Sequence, residues 1–195
     1  MTGPTHILFG ISTGIVLCKT GLFELDPVSF VCLFLGSLGP DIDADSGSIT
    51  KPGRLFRAFL PRGVANVLDQ LGTLISAMVR SISGHRGFFH TPVLALGILL
   101  ASWYLNWPRL EWFGIGYFSH ILADACTVRG VPLLWPIREK EYSFLPIRTG
   151  SATEALLATC MVFFIIGIGW NLLPETTRQG FEDIRHAVMQ RQGWR

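Results

Sequence analysis

Residues 153–173 read TEALLATCMVFFIIGIGWNLL, an apolar run in which Thr159 and Asn171 are the only polar side chains beyond the first turn. Crossing about 30 Å of hydrocarbon takes about 20 apolar residues at a rise of about 1.5 Å each, and this run has that length. Outward from it lie four shorter apolar segments, from about His6 to Cys18, Pro27 to Gly39, Thr91 to Trp107 and Trp112 to Cys126. One segment of this length suits the core helix of a soluble protein. Four of them, apolar on every face, exceed what the outer layer of a 195-residue domain can cover. The mean hydropathy of +0.42, with 49% hydrophobic and 15% charged residues, agrees. The expected fold class is all-α: a polytopic membrane bundle of four or five segments.

The N-terminal stretch MTGPTHILFGISTGIVLCK has no charged region ahead of its apolar run and carries His6 at its front, unlike a cleaved signal peptide. Cys18, Cys32, Cys126 and Cys160 stand in apolar surroundings without CxxC spacing, which reads as packing rather than a zinc ribbon or a disulfide framework. A net charge of +2 is too small to suggest nucleic acid as a partner, and no basic and aromatic pattern supports one.

The expected organisation is a membrane-embedded domain over residues 1–175, a polar insertion over 42–89 and a polar tail over 176–195. In the insertion, KPGRLFRAFLPRG alternates Arg with Leu and Phe, which suits a short helix in the headgroup layer. VANVLDQLGTLISAMVRSI follows, with Val67, Leu68, Leu71, Leu74, Ile75 and Met78 at helical spacing. Asp69 and Gln70 favour an interfacial or site-covering helix there over a fifth span.

If the segments alternate in direction, the polar residues at their ends fall on one side: His6, Asp41, Asp43, His85, His90, His120 and Asp124. Chance would scatter them over both. An ionisable group at membrane depth costs roughly 2.5–3.5 kcal/mol, and a bound cation offsets such a cost. Ten Lys and Arg residues fall on this side against six elsewhere, so the positive-inside bias places it in the cytoplasm.

Helical spacing puts His120 and Asp124 on one face, where a borderline divalent ion takes imidazole nitrogen and carboxylate oxygen together. Pro40 ends the second segment and leaves Asp41 and Asp43 in turn backbone. The alternation Asp41, Asp43, Asp45 suggests a calcium loop, but counting from Asp41 puts Ser46 and Pro52 where an EF-hand needs Gly and Glu. Thr91 and Pro92 form a helix start, so His85 and His90 of HRGFFH lie in the loop before it. Arg86 offers a guanidinium fork to a phosphate or carboxylate. Ser151 and Glu154 stand at capping-box spacing.

The order of these motifs, His6, GSLGPDID at 36–43, HRGFFHTP at 85–92, GYFSHILADACTVRGVPLLWPI at 116–137 and RTGSATE at 148–154, resembles the YdjM-like family of bacterial inner-membrane proteins. That family is described as membrane-bound metal-dependent hydrolases, some under LexA control. The likeness runs from about residue 3 to 175. It implies His6, Asp41, Asp43, His85, His90, His120 and Asp124 as the matching polar positions, with Arg86, Thr127, Trp135 and Arg148 accompanying them. Phe88 and Phe89 replace small hydroxyl residues of the family pattern.

Together these readings predict a hydrolase of the bacterial inner membrane, phosphoesterase- or phospholipase-like, acting through metal-bound hydroxide on a lipid or another phosphoester. One or two divalent ions are expected, zinc first, with manganese or iron as alternatives. Their ligands are His6, Asp41, Asp43, His90, His120 and Asp124; the catalytic residues are His85, Arg86 and Arg148. The competing readings are a divalent-cation transporter and a structural or interaction protein stapled by its metal. Oligomeric state is not legible.

Overall fold

Proline in the first turn and a capping side chain set most of the helix starts. The computed structural model describes residues 1–21, 23–44, 50–83, 87–138, 140–172 and 175–191. In chain order the helices are α1 (Gly3–Lys19), α2 (Pro27–Leu38), α3 (Pro52–Leu55), α4 (Arg62–Ser83), α5 (Pro92–Tyr104), α6 (Pro108–Ala125), α7 (Ala152–Gly169) and α8 (Glu175–Arg191). Short 3-10 turns extend α2 (Gly39–Asp43), precede α5 (Phe88–His90) and follow α7 (Trp170–Leu172). The regular structure is all-α, joined by isolated bridges in the loop after α6.

Asp26 caps α2 by accepting from the Val28 and Ser29 amides, and Thr91 caps α5 by accepting from Leu94 N at 3.3 Å. With Pro4 and Pro108 in their first turns, α1 and α6 begin three and four residues before His6 and Trp112, the starts expected from hydropathy. The expected C-terminal tail is helical through Arg191.

Among the described residues, α7 is the one helix long and apolar enough to cross a membrane. Only 6% of it is buried, so it is no soluble-core helix, which would be mostly covered. The shorter α5 is also strongly apolar, with Val93, Leu96 and Leu100 exposed.

α6 is the central element, packed against α1, α2 and α5. Its contact with α2 is backbone on backbone. A Cβ on Gly116 would lie 2.2 Å from the Leu33 carbonyl oxygen, and one on Gly36 would lie 2.1 Å from that of Phe113. Small residues at facing positions let helices approach this closely where the apolar effect gives no drive, as in lipid. Leu33, Trp112 and Ile115 fill the far end of this contact, where Trp112 Nε1 donates to Glu24 O at 3.1 Å. The near end is polar.

Candidate metal centre

α6 carries His120 and Asp124 one turn apart, facing the end of α2. The last carbonyls of a helix lack intrahelical partners, and that of Ser37 lies 2.8 Å from His120 Nδ1. A carbonyl only accepts, so Nδ1 carries the proton. Nε2 then holds a lone pair, 3.8 Å from both Asp41 Oδ1 and Asp124 Oδ2. It is fully buried without a hydrogen-bond partner among the described residues.

The 3-10 turn after α2 supplies Asp41 and Asp43, and His90 comes from the turn before α5. His90 stands between the two aspartates. Its Nε2 is 3.7 Å from both Asp41 Oδ1 and Asp124 Oδ2, while Nδ1 is 3.7 Å from Asp43 Oδ2. Flanking bonds hold this arrangement. Tyr117 Oη donates to Phe89 O at 2.6 Å, and Thr91 Oγ1 donates to Phe88 O at 2.8 Å. Arg80 of α4 grips the Asp43 carbonyl through Nε at 3.0 Å and Nη2 at 2.8 Å.

His6, at the end of the first turn of α1, stacks on His120 with ring centroids 3.6 Å apart and planes within 7°. Its Nε2 lies 3.3 Å from Asp124 Oδ1, and the Met1 nitrogen lies 2.5 Å from the same oxygen. Glu154, at the start of α7, places α1. Its carboxylate accepts from Thr2 N and from Gly150 N, each at 2.6 Å. A complete capping box would turn that side chain back to the Ser151 amide; here only the Ser151 half is present, accepting from Glu154 N at 3.3 Å.

Two donor sets therefore meet at His120: His6, His120 and Asp124, and Asp41, His90 and His120. The separations of 3.3–3.8 Å exceed the usual N–H···O range of about 2.7–3.2 Å. They match two ligands on one ion, which sit about 3.4 Å apart at metal–ligand distances near 2.1 Å. Nitrogen lone pairs and carboxylate oxygens converging in a buried space favour a cation among them, a part the Met1 ammonium plays for Asp124 Oδ1, and the remaining donors make this cluster compatible with a metal-binding site. Asp41 is the donor that reaches the surface, 19% exposed against 1% or less for the rest.

A family model described as YdjM inner membrane protein matches residues 1–180, which include every one of these donors. The chain belongs to the YdjM family. It is 30% identical over 197 residues to inner membrane protein YdjM of Escherichia coli (strain K12), covering 91% of this chain and 87% of that protein. It is also 30% identical over 175 residues to protein YvsG of Bacillus subtilis (strain 168), covering 85% of this chain and 96% of that one. No solved structure matches the chain. Membership in the YdjM family, with an apolar helix as little buried as α7, supports a membrane location.

Six of the nine residues singled out from the sequence come together in the cluster: His6, Asp41, Asp43, His90, His120 and Asp124. Asp43 faces the outer nitrogen of His90 rather than either donor set. Arg148 is exposed on the loop before α7. That loop is tied back to α6 where Val128 N donates to Ile147 O at 3.0 Å. His85 and Arg86, like Asp45, lie outside the described residues. Ser37, Arg80, Tyr117 and Glu154 have supporting contacts that sequence reasoning missed. Ser37 acts through its backbone, which leaves no signal in side-chain pattern; Arg80 counted only among the ten basic residues of the site side, and Glu154 had an ordinary reading as a cap.

Proposed function

We propose that this protein is a multi-pass inner-membrane hydrolase, dependent on a divalent metal and acting on a phosphoester of a lipid or a membrane-associated molecule. The observation that carries the reading is His120: the Ser37 carbonyl fixes its tautomer so that a buried lone pair faces the oxygens of two aspartates. In this reading His6, Asp41, His90, His120 and Asp124 hold one or two ions, and Asp43 orients His90. Imidazole with carboxylate favours zinc, with manganese and iron next. A bound ion supplies Lewis acidity toward an ester oxygen and acidifies water.

The chain's own groups do the rest. Asp41 marks the opening through which a substrate reaches the donors. Arg148 and Arg86 steady the negative charge of a phosphoryl group. His85, with an unperturbed pKa of about 6.5, carries the proton. The buried donors exclude water except at the opening.

The membrane arrangement in this reading has α1, α2, α5, α6 and α7 crossing the bilayer and the donors at their cytoplasmic ends. Two further features support it. Exposed Trp103, Tyr104 and Trp107 cluster at the opposite end of α5, as in an interfacial aromatic belt. Leu156, Phe163 and Ile166 leave α7 apolar toward its surroundings.

The deciding experiment is elemental analysis of detergent-purified protein beside folded His120→Ala and Asp41→Ala variants. Near-stoichiometric zinc, manganese or iron in the parent, lost in both variants, is the expected result. Release of phosphate or alcohol from phosphoester substrates with that metal then completes the test. A parent that takes up no divalent ion under any loading condition removes the hydrolase reading.

A further inference from the structure

α4 is amphipathic in the sense opposite to a soluble helix. At about 100° per residue, Ala65, Asp69, Gly72, Thr73, Ser76 and Arg80 occupy one arc of about 100°, and this mostly polar face turns inward. Ala65 and Ser76 are fully buried. Asp69 Oδ1 accepts from Arg54 N at 3.1 Å, Lys51 Nζ donates to Thr73 Oγ1 at 2.7 Å, and Arg80 grips Asp43. A Cβ on Gly72 would lie 2.2 Å from Thr50 O.

The opposed arc carries Val67, Leu71, Leu74, Ile75 and Met78, each between 51% and 69% exposed. A helix in water turns its apolar stripe to the core; here the polar face makes the protein contacts and the apolar stripe points away. The segment leading into α4, together with the first residue of α4, adds charge. Arg54, Arg57 and Arg62 are exposed there, interleaved with Phe56 at 49% and Phe59 at 85% exposure. Apolar side chains flanked by arginines match an anionic lipid surface, where acyl chains take the first and headgroups the second.

We propose that α4 and the segment before it form a lipid-docking surface: the outward stripe of α4 lies among the upper acyl chains of the site-side leaflet, and Arg54, Arg57 and Arg62 bind anionic headgroups beside it. This rests on the membrane placement given above and not on the metal. Because Arg80, on the inner face of the same helix, holds the Asp43 carbonyl, the docked helix is tied directly to the turn that presents Asp41 and Asp43.

The test uses full-length protein in nanodiscs containing phosphatidylglycerol and phosphatidylcholine. Nitroxide labels are attached through Leu74→Cys, Met78→Cys and, on the exposed flank, Asn66→Cys, with the native cysteines replaced. Labels at 74 and 78 are expected to relax more with oxygen than with a water-soluble paramagnetic chelate, and the label at 66 to show the reverse. Equal chelate access at all three positions overturns the proposal. So does exclusion of both reagents at 74 and 78 with label–label broadening, which assigns the face to a second copy of the chain. Amide exchange on the unsubstituted chain covers the case of misfolded variants: segment 54–78 should exchange several-fold more slowly with phosphatidylglycerol present than with phosphatidylcholine alone, and equal rates remove the anionic-headgroup assignment. None of these readouts needs a metal. Elemental analysis of the same nanodiscs separates a failure of docking from a failure of the hydrolase reading.

Discussion

His120 Nδ1 lies 2.8 Å from the Ser37 carbonyl oxygen, and this bond couples the packing of α2 on α6 to the donor cluster at their shared end. The ring reaches that carbonyl because Gly116, one turn earlier, lets the two backbones touch.

Gly116→Ala therefore acts on both stability and the site. Its Cβ would meet the Leu33 carbonyl at 2.2 Å, so the helices must part, at a cost of about 1–3 kcal/mol for overpacking. Thermal unfolding in detergent should fall and metal content should drop with it. Gly97→Ala, where a Cβ meets nothing within 4 Å, is the control and should be neutral or slightly stabilising. Unchanged metal content in a folded Gly116→Ala variant would detach the site from this packing.

The two aspartates of the 3-10 turn should separate by role. Asp41 faces the inner nitrogens of His90 and His120, whereas Asp43 faces the outer nitrogen of His90. Carboxylates that orient a ligating histidine typically contribute 10–100-fold in metal affinity. Asp43→Asn should retain metal at saturation with affinity lowered by about that factor, and Asp41→Asn should lose it outright. Titration against a competing chelator measures both; equal losses would mean that Asp43 is itself a ligand.

Arg80 gives two charge-assisted bonds to the Asp43 carbonyl. Arg80→Ala should loosen the turn, raise amide exchange in α4 and weaken metal binding, with Arg80→Lys intermediate because an ammonium cannot reproduce the fork. The exchange rates of residues 62–81 beside a chelator titration give the answer. No change in either would mean that α4 is held by its other contacts alone.

In the proposed reading, removing the metal should destabilise the protein, because the converging lone pairs and carboxylates lose the charge between them. For an ion at a hundredfold above its dissociation constant, linkage amounts to about 2.7 kcal/mol. Chelator-treated protein should unfold at a lower temperature and recover on adding the ion back. A midpoint indifferent to both treatments would empty the site of structural consequence.

Glu154 receives two backbone N–H groups while 2% exposed. Glu154→Ala leaves both amides unpartnered and should cost about 1–3 kcal/mol. Glu154→Gln keeps one good acceptor and should cost less. Both variants also loosen the start of α1, so His6 should lose its stack on His120, visible as broadened imidazole resonances.

The helices were legible because membrane and helix signals are local. The Thr91–Pro92 start, the Ser151 cap and the apolar run of α7 each depend on residues within one or two turns. The donor types were legible for a related reason: His and Asp among apolar residues stand out wherever they end up. Helix ends were less so. Hydropathy places the start of α6 at Trp112, yet Pro108, Arg109 and Glu111 form its first turn, because a proline at the first position opens the helix ahead of its apolar run.

By itself, then, the sequence determined an all-α apolar chain with histidines and aspartates at helix ends. Periodicity, capping and composition act over a few residues and need no partner. Only the tertiary structure decided which nitrogen of His120 is free, that Asp43 stands behind His90 and not beside Asp41, and that α4 turns its polar face inward. Each of these depends on a backbone carbonyl or a facing helix brought in from far along the chain, and side-chain pattern carries no record of where a carbonyl will point.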